Sequence, residues 1–311
     1  VLKRTSLILL ISICIFNPAI AQANNWDTYW AARWQKKAEN HDRDAQFNLG
    51  LLYYEGLGVP QDYQKALFWF SEAANQEHTQ AQFNLGLMFY EGVGTPQDFA
   101  MARFWFEKAA NQKDAAAECN LGVIYAEGQG VTQDYTTAKH WYERAAAQGN
   151  AQAQWNLGVL YYKGQAVAQD FSLAVYWFEK SAHQNNPEAQ FLLGMMYYEG
   201  LGIPQNYQLA SQWFLEAAMQ NHGPAQFNLG LMLLKGQGID QNDVLALEWL
   251  EKAALQGELE AMMLTAHLYT EGIGTPKNPT AALYWYEKAA TFGDLEALER
   301  IKVLKTPSLA P

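Results

Sequence analysis

The chain reads as all-α: an α/α superhelical solenoid of antiparallel helix pairs in 36-residue repeats. Three observations carry that reading. The phrase opening at Ala45, AQFNLGLLYYEGLGVPQD, restarts at Ala81, Ala117, Ala153, Ala189, Ala225, Ala261 and, truncated, Ala297, with no insertion or deletion. Each unit holds two helix-period apolar stretches separated by a Gly-x-Gly loop. The composition, 50% hydrophobic and 17% charged with 11 Trp, 17 Tyr and 15 Phe, suits a packed chain whose burial is largely aromatic. A fixed period of this size means units that cannot bury an apolar face alone and must stack on neighbours.

Residues 1-23 read as a secretory signal peptide. Lys3 and Arg4 form a charged start, Leu7 to Phe16 a short apolar run, and Ala21-Gln22-Ala23 a cleavage box. As a helix the apolar run reaches about 15 Å, against about 30 Å of hydrocarbon core, so cleavage after Ala23 is expected and no stable membrane insertion thereafter. Losing this segment removes two of the 21 Lys and Arg and none of the 32 Asp and Glu, taking the formal charge from −11 to −13. Such acidity argues against nucleic acid and anionic membrane as partners. One cysteine, Cys119, follows the leader, so no internal disulfide is available. A periplasmic or secreted location follows from the leader.

Residues 24-44 read as an N-terminal capping helix, aligned with a lone second helix. Trp30, Arg33 and Lys37 stand there where full repeats hold Ala, Trp and Ala. Seven repeats follow, at 45-80, 81-116, 117-152, 153-188, 189-224, 225-260 and 261-296. In the first, helix A is predicted over Ala45 to Glu55, with Ala45, Leu49, Leu52 and Tyr53 on one face. Gly56 ends it where φ > 0 is required. Asp62 caps helix B, predicted over Tyr63 to Asn75, whose stripe is Ala66, Trp69, Phe70, Ala73 and Ala74. The Trp recurs at 105, 141, 177, 213, 249 and 285 and reads as one core residue per repeat. Residues 297-311 read as a lone capping helix A and a tail.

The frame A-x-x-x-L-G-x-x-Y…G-x-G-x-x-x-D…A…W-[FY]-x-[KE]-A-A resembles the Sel-one-like repeat family, relatives of the tetratricopeptide repeats. In the second unit the match is carried by Ala81, Leu85, Gly86, Phe89, Gly92, Gly94, Asp98, Ala102, Trp105, Phe106, Ala109 and Ala110. Repeat four departs from it with Ala166 at the second loop glycine, and repeat six with Leu233-Leu234 for the tyrosines. The resemblance implies a right-handed superhelix used as a protein-interaction scaffold. Exported bacterial members would be regulators, envelope-assembly factors or host-interaction proteins.

Helix A is apolar nearly all round. Opposite its Ala-Leu-Tyr face lie Phe47, Leu51 and Tyr54 beside Glu55. Their counterparts are Phe83, Leu87, Tyr90 and Glu91; Trp155, Val159, Tyr162 and Lys163; Phe191, Met195, Tyr198 and Glu199. Either neighbouring A helices cover these residues or they line a concave apolar groove. Asn48, Asn84, Asn120, Asn156 and Asn228 share one register position. They would either pair with an extended peptide backbone or bond between helices within the scaffold. Glu55, Glu91, Glu127, Glu199 and Glu271 form an acidic row broken by Lys163 and Lys235. That row is either a solvated rim or a guide for a basic segment.

No catalytic constellation, metal-ligand spacing or phosphate loop is present, and neither enzyme activity nor a cofactor is expected. The six His are scattered, and Cys119 reads as a small core residue. The expected function is an exported scaffold binding a protein or extended peptide, a basic or apolar segment, on the concave face. Two alternatives stay open: a cell-wall-active protein binding or modifying peptidoglycan or β-lactams, and a secreted effector engaging a host receptor. Oligomeric state is not legible.

Overall fold

The structure is a computed structural model describing residues 25–305. The expected leader at 1-23 and the tail after Lys305 lie outside the described residues. Sixteen helices and no strand occur among the described residues. The A helices are α2 (Arg43–Glu55), α4 (Thr79–Glu91), α6 (Ala115–Glu127), α8 (Ala151–Lys163), α10 (Pro187–Glu199), α12 (Gly223–Lys235) and α14 (Leu259–Glu271). The B helices are α3 (Tyr63–Asn75), α5 (Phe99–Asn111), α7 (Tyr135–Ala147), α9 (Phe171–Ala182), α11 (Tyr207–Met219), α13 (Asp243–Leu255) and α15 (Pro279–Thr291). Lone helices α1 (Asn25–Glu39) and α16 (Leu295–Lys305) complete the set. The chain divides into two compact units between Gln97 and Asp98.

Helix A begins two residues before the predicted Ala45. The reason is an N-cap that precedes the repeat phrase: Asp42 Oδ1 accepts from the Ala45 amide at 2.9 Å. Asp114, Asn150 and Asn186 do the same for α6, α8 and α10. At α4 and α12 the cap is a histidine, His78 Nδ1 accepting from Ala81 N at 3.2 Å and His222 Nδ1 from Ala225 N at 3.1 Å. Each A helix ends at a left-handed glycine, Gly56 at φ +72° for α2.

In the first unit, α2 and α3 pack through a ring laid on a glycine. A Cβ on Gly50 would sit 2.6 Å from Phe70 Cδ1. The second unit repeats the seat with Phe178 on Gly158, Phe214 on Gly194 and Leu250 on Gly230. This corrects the expectation for the recurrent Trp. The residue after it is the core residue: Phe70, Phe106, Phe178, Phe214 and Leu250 are at most 1% exposed. Trp69, Trp105, Trp141, Trp177, Trp213 and Trp249 are half-buried, and only Trp285 is buried. One step along a helix turns a side chain by about 100°, so the two neighbours cannot both lie over the glycine.

Successive repeats are joined by buried glutamines. In the second unit Gln190 Nε2 donates to Ala182 O at 3.2 Å, and Gln190 Oε1 accepts from Gln220 at 2.7 Å. Gln154 and Gln226 make the same relay with Ala146 O and Gln184, and with Ala218 O and Gln256. In the first unit Gln46 serves Ala38 O and Gln76. Each relay gives a second donor to a carbonyl in the last turn of a helix and pairs a side-chain amide that would be costly to bury alone.

Candidate protein-interaction surface

The rings on the far side of helix A are neither freely exposed nor fully covered. Phe47, Leu51 and Tyr54 are half-buried in the first unit, as is Tyr90, while Phe83 is buried at 8% exposure. Phe47 stacks on His78 at 4.4 Å between centroids, and Tyr54 meets Tyr63 edge-on at 5.3 Å. Burial, and then the Glu91 carboxylate, push the Tyr54 phenol above its usual pKa.

In the second unit Trp155, Val159 and Tyr162 of α8 pack in part against the cluster containing Ala189, Leu193 and Met196 of α10. Phe191, Met195 and Tyr198 of α10 pack likewise against the cluster containing Ala225, Leu229 and Met232 of α12. In these two repeats the rings are therefore half-covered by clusters built from the following B and A helices together. Tyr162 meets Phe171 edge-on at 5.4 Å, Tyr198 meets Tyr207 at 5.2 Å, and the Tyr198 hydroxyl donates to Gln237 Oε1 at 3.2 Å. These contacts fix the rings and leave a partly apolar strip.

The asparagines do not share one environment. Asn48 Nδ2 donates to Asp44 O at 2.7 Å and Asn228 Nδ2 to Pro224 O at 2.8 Å, each within its own helix. Asn156 is buried, its Nδ2 3.9 Å from Cys119 Sγ. Asn84 is buried and Asn120 half-buried. Cys119 is 4% exposed, and burial pushes its thiol up to about 12, which leaves no thiolate for nucleophilic chemistry. Glu55, Glu91, Glu127 and Glu199 are all exposed, so the acidic row faces solvent.

Sequence reasoning missed a second row. Phe68 of the first unit is 54% exposed; in the second unit Phe104, Tyr176 and Tyr284 are 44%, 48% and 47% exposed. Each precedes the recurrent Trp and meets it edge-on at about 5 Å between centroids. The signal was available: an aromatic residue one place outside the buried stripe.

Among the described residues no group of His, Cys, Asp and Glu could hold a metal, and no helix is long and apolar enough to cross a membrane. The arrangement offers contact area and charge.

A family model described as the Sel1 repeat matches seven consecutive segments, residues 43–78, 79–114, 115–150, 151–186, 187–222, 223–258 and 259–294. Among solved structures, the chain is similar to a protective antigen of uropathogenic Escherichia coli strains displaying an SLR fold. The identity is 32%, the TM-score 0.67, and the match covers 88% of this chain and 67% of that one. It is equally similar to a Sel1 repeat protein from Oxalobacter formigenes, at 32% identity and TM-score 0.75, covering 88% of this chain and 80% of that one. No curated protein matches this sequence. With seven matched repeats and the helix-pair architecture, the chain belongs to the Sel1 repeat family, α-solenoids that generally serve as protein–protein interaction scaffolds.

Proposed function

We propose that the protein is an exported, non-catalytic scaffold that binds a protein or extended peptide along the half-buried strip of its A helices, acting as an adaptor, regulator or envelope-assembly factor. One observation supports this most: half-buried Phe47, Tyr54 and Tyr90 stand beside solvent-facing Glu55 and Glu91 in the first unit, and half-buried Phe191 and Tyr198 beside Glu199 in the second. The rings supply apolar anchors and the glutamates favour a basic segment. Export rests on the leader reading of residues 1-23.

Phe83 and Trp155 are too well packed to be removed safely, so charge reversal at exposed sites is the cleaner test. Affinity capture from an envelope fraction would compare the wild type with Glu127→Lys/Glu199→Lys. The expected result is selective loss of captured partners in the folded variant, and of the same partners from the wild type at high salt. An unchanged set in both cases contradicts the reading.

A further inference from the structure

A cavity of about 310 Å³ opens between α9, α10 and α11, lined by Ala182, His183, Asn185, Gln190, Trp213 and Glu216 among others. The same positions two repeats earlier are filled by the chain itself. Ala182, Gln190, Trp213 and Glu216 are the register counterparts of Ala110, Glu118, Trp141 and Arg144. There the Arg144 guanidinium lies 4.6 Å over the Trp141 ring, with Nη2 2.6 Å from Glu118 Oε1 and 3.2 Å from Ala110 O. One repeat after the cavity, Lys252 Nζ lies 4.0 Å over the Trp249 ring at the edge of the next such opening. Among these three sites only Trp213 has a carboxylate, Glu216, where the other two supply their own cation.

We propose that this cavity is a socket for an arginine side chain of a partner protein. The Trp213 face offers cation–π stacking, and Glu216, exposed and without an ion pair among the described residues, offers a carboxylate to the guanidinium fork. Asn185 adds a side-chain acceptor at the rim. Arginine fits better than lysine because a planar guanidinium stacks on an indole and still donates in its plane. Repeat three is the internal template: Trp141, in register with Trp213, already holds a guanidinium, although repeat five differs in placing His183 edge-on to its Trp at 5.3 Å where repeat three has Asn111. The socket needs only α9, α10 and α11 and does not rest on the helix-A reading.

The test is a titration of ¹⁵N-labelled protein with N-acetyl-L-arginine amide, following the Trp213 indole N–H, assigned by Trp213→Phe. A saturable shift at Trp213 is expected, about tenfold weaker in Glu216→Gln and absent in Glu216→Arg, whose own side chain fills the site. N-acetyl-norleucine amide should leave the signal in place. Glu118→Gln/Arg144→Glu, which gives repeat three the repeat-five residues at those two positions, should make the Trp141 indole respond. The proposal is overturned by any of three results in folded protein: no saturable shift at Trp213, an equal shift with the norleucine probe, or an undiminished response in Glu216→Arg.

Discussion

The joint into repeat three and the joint into repeat five solve one problem with different chemistry. In both, a carbonyl in the last turn of a B helix, already accepting a backbone amide, takes a second donor from a side chain. At repeat five the donor is Gln190 Nε2. At repeat three Glu118, 1% exposed, stands in its place, and both its oxygens face donors. Arg144 reaches across from α7, donates to Ala110 O and neutralises Glu118, while Gln148 still donates to Glu118 Oε2 at 2.7 Å. The backbone geometry of the joint is thus fixed, and its polar filling is exchangeable only in matched pairs. A buried carboxylate requires the arginine; a buried amide frees that position, which in repeat five has become Glu216.

The comparison breaks most visibly at Arg144. Arg144→Ala should cost about 2–4 kcal/mol, below the full penalty for orphaning a buried charge because the arginine side chain is 36% exposed. Adding Glu118→Gln should recover most of that loss, since the introduced amide restores the donor. Urea unfolding of the two variants checks both statements.

A shared element sharpens the comparison. Gly122 seats the Tyr142 ring at one joint and Gly194 the Phe214 ring at the other, where a Cβ would lie 2.7 Å from Cδ1. Gly122→Ala and Gly194→Ala should each destabilise by about 1–3 kcal/mol through overpacking. A loss confined to one of them would mean that the joints differ in packing as well as polarity.

Repeat four separates the two joints and holds Ala166 at φ +61°. Ala166→Gly should stabilise by about 1 kcal/mol, because a left-handed backbone strains any residue with a Cβ. Thermal melting reads the gain.

The smallest expected effect is a pH dependence at the contact between α10 and the cap of α12, on the far side of repeat five. His222 caps α12 with Nδ1 as the acceptor, and its Nε2 lies 3.4 Å from Glu188 Oε2. This hydrogen bond holds the Glu188 carboxyl below the usual range. A lowered folded-state pKa contributes stability above the unfolded value of 4.5, lost as pH falls through the folded one. The cap in the same register after repeat three is Asn150, which does not titrate. Glu188→Gln should therefore flatten the acid limb of the stability profile below pH 4.5.

The repeat, the A–B pairing and the caps at Asp62 and its counterparts were legible because they recur at fixed spacing. The caps before helix A were less so: Asp42, His78, Asp114, Asn150, Asn186, His222 and Glu258 share a position but not a residue type. The Trp and the residue after it sit side by side on a helical wheel, and only the facing Gly50 decides which is buried. The socket was hidden for another reason. Its signature is a paired change in register, Glu118 in place of the recurrent glutamine together with Arg144, and its meaning depends on a carbonyl contributed by the preceding helix.

Moving the repeat-three pair into repeat five tests the exchange rule most directly. Equilibrium urea unfolding would compare Gln190→Glu with Gln190→Glu/Glu216→Arg. The account predicts a loss of about 3–5 kcal/mol for the single variant, a buried carboxylate beside Glu216, and recovery of most of it in the double. A double variant no more stable than the single would show that Arg144 and Glu118 are not a self-contained filling of a common joint.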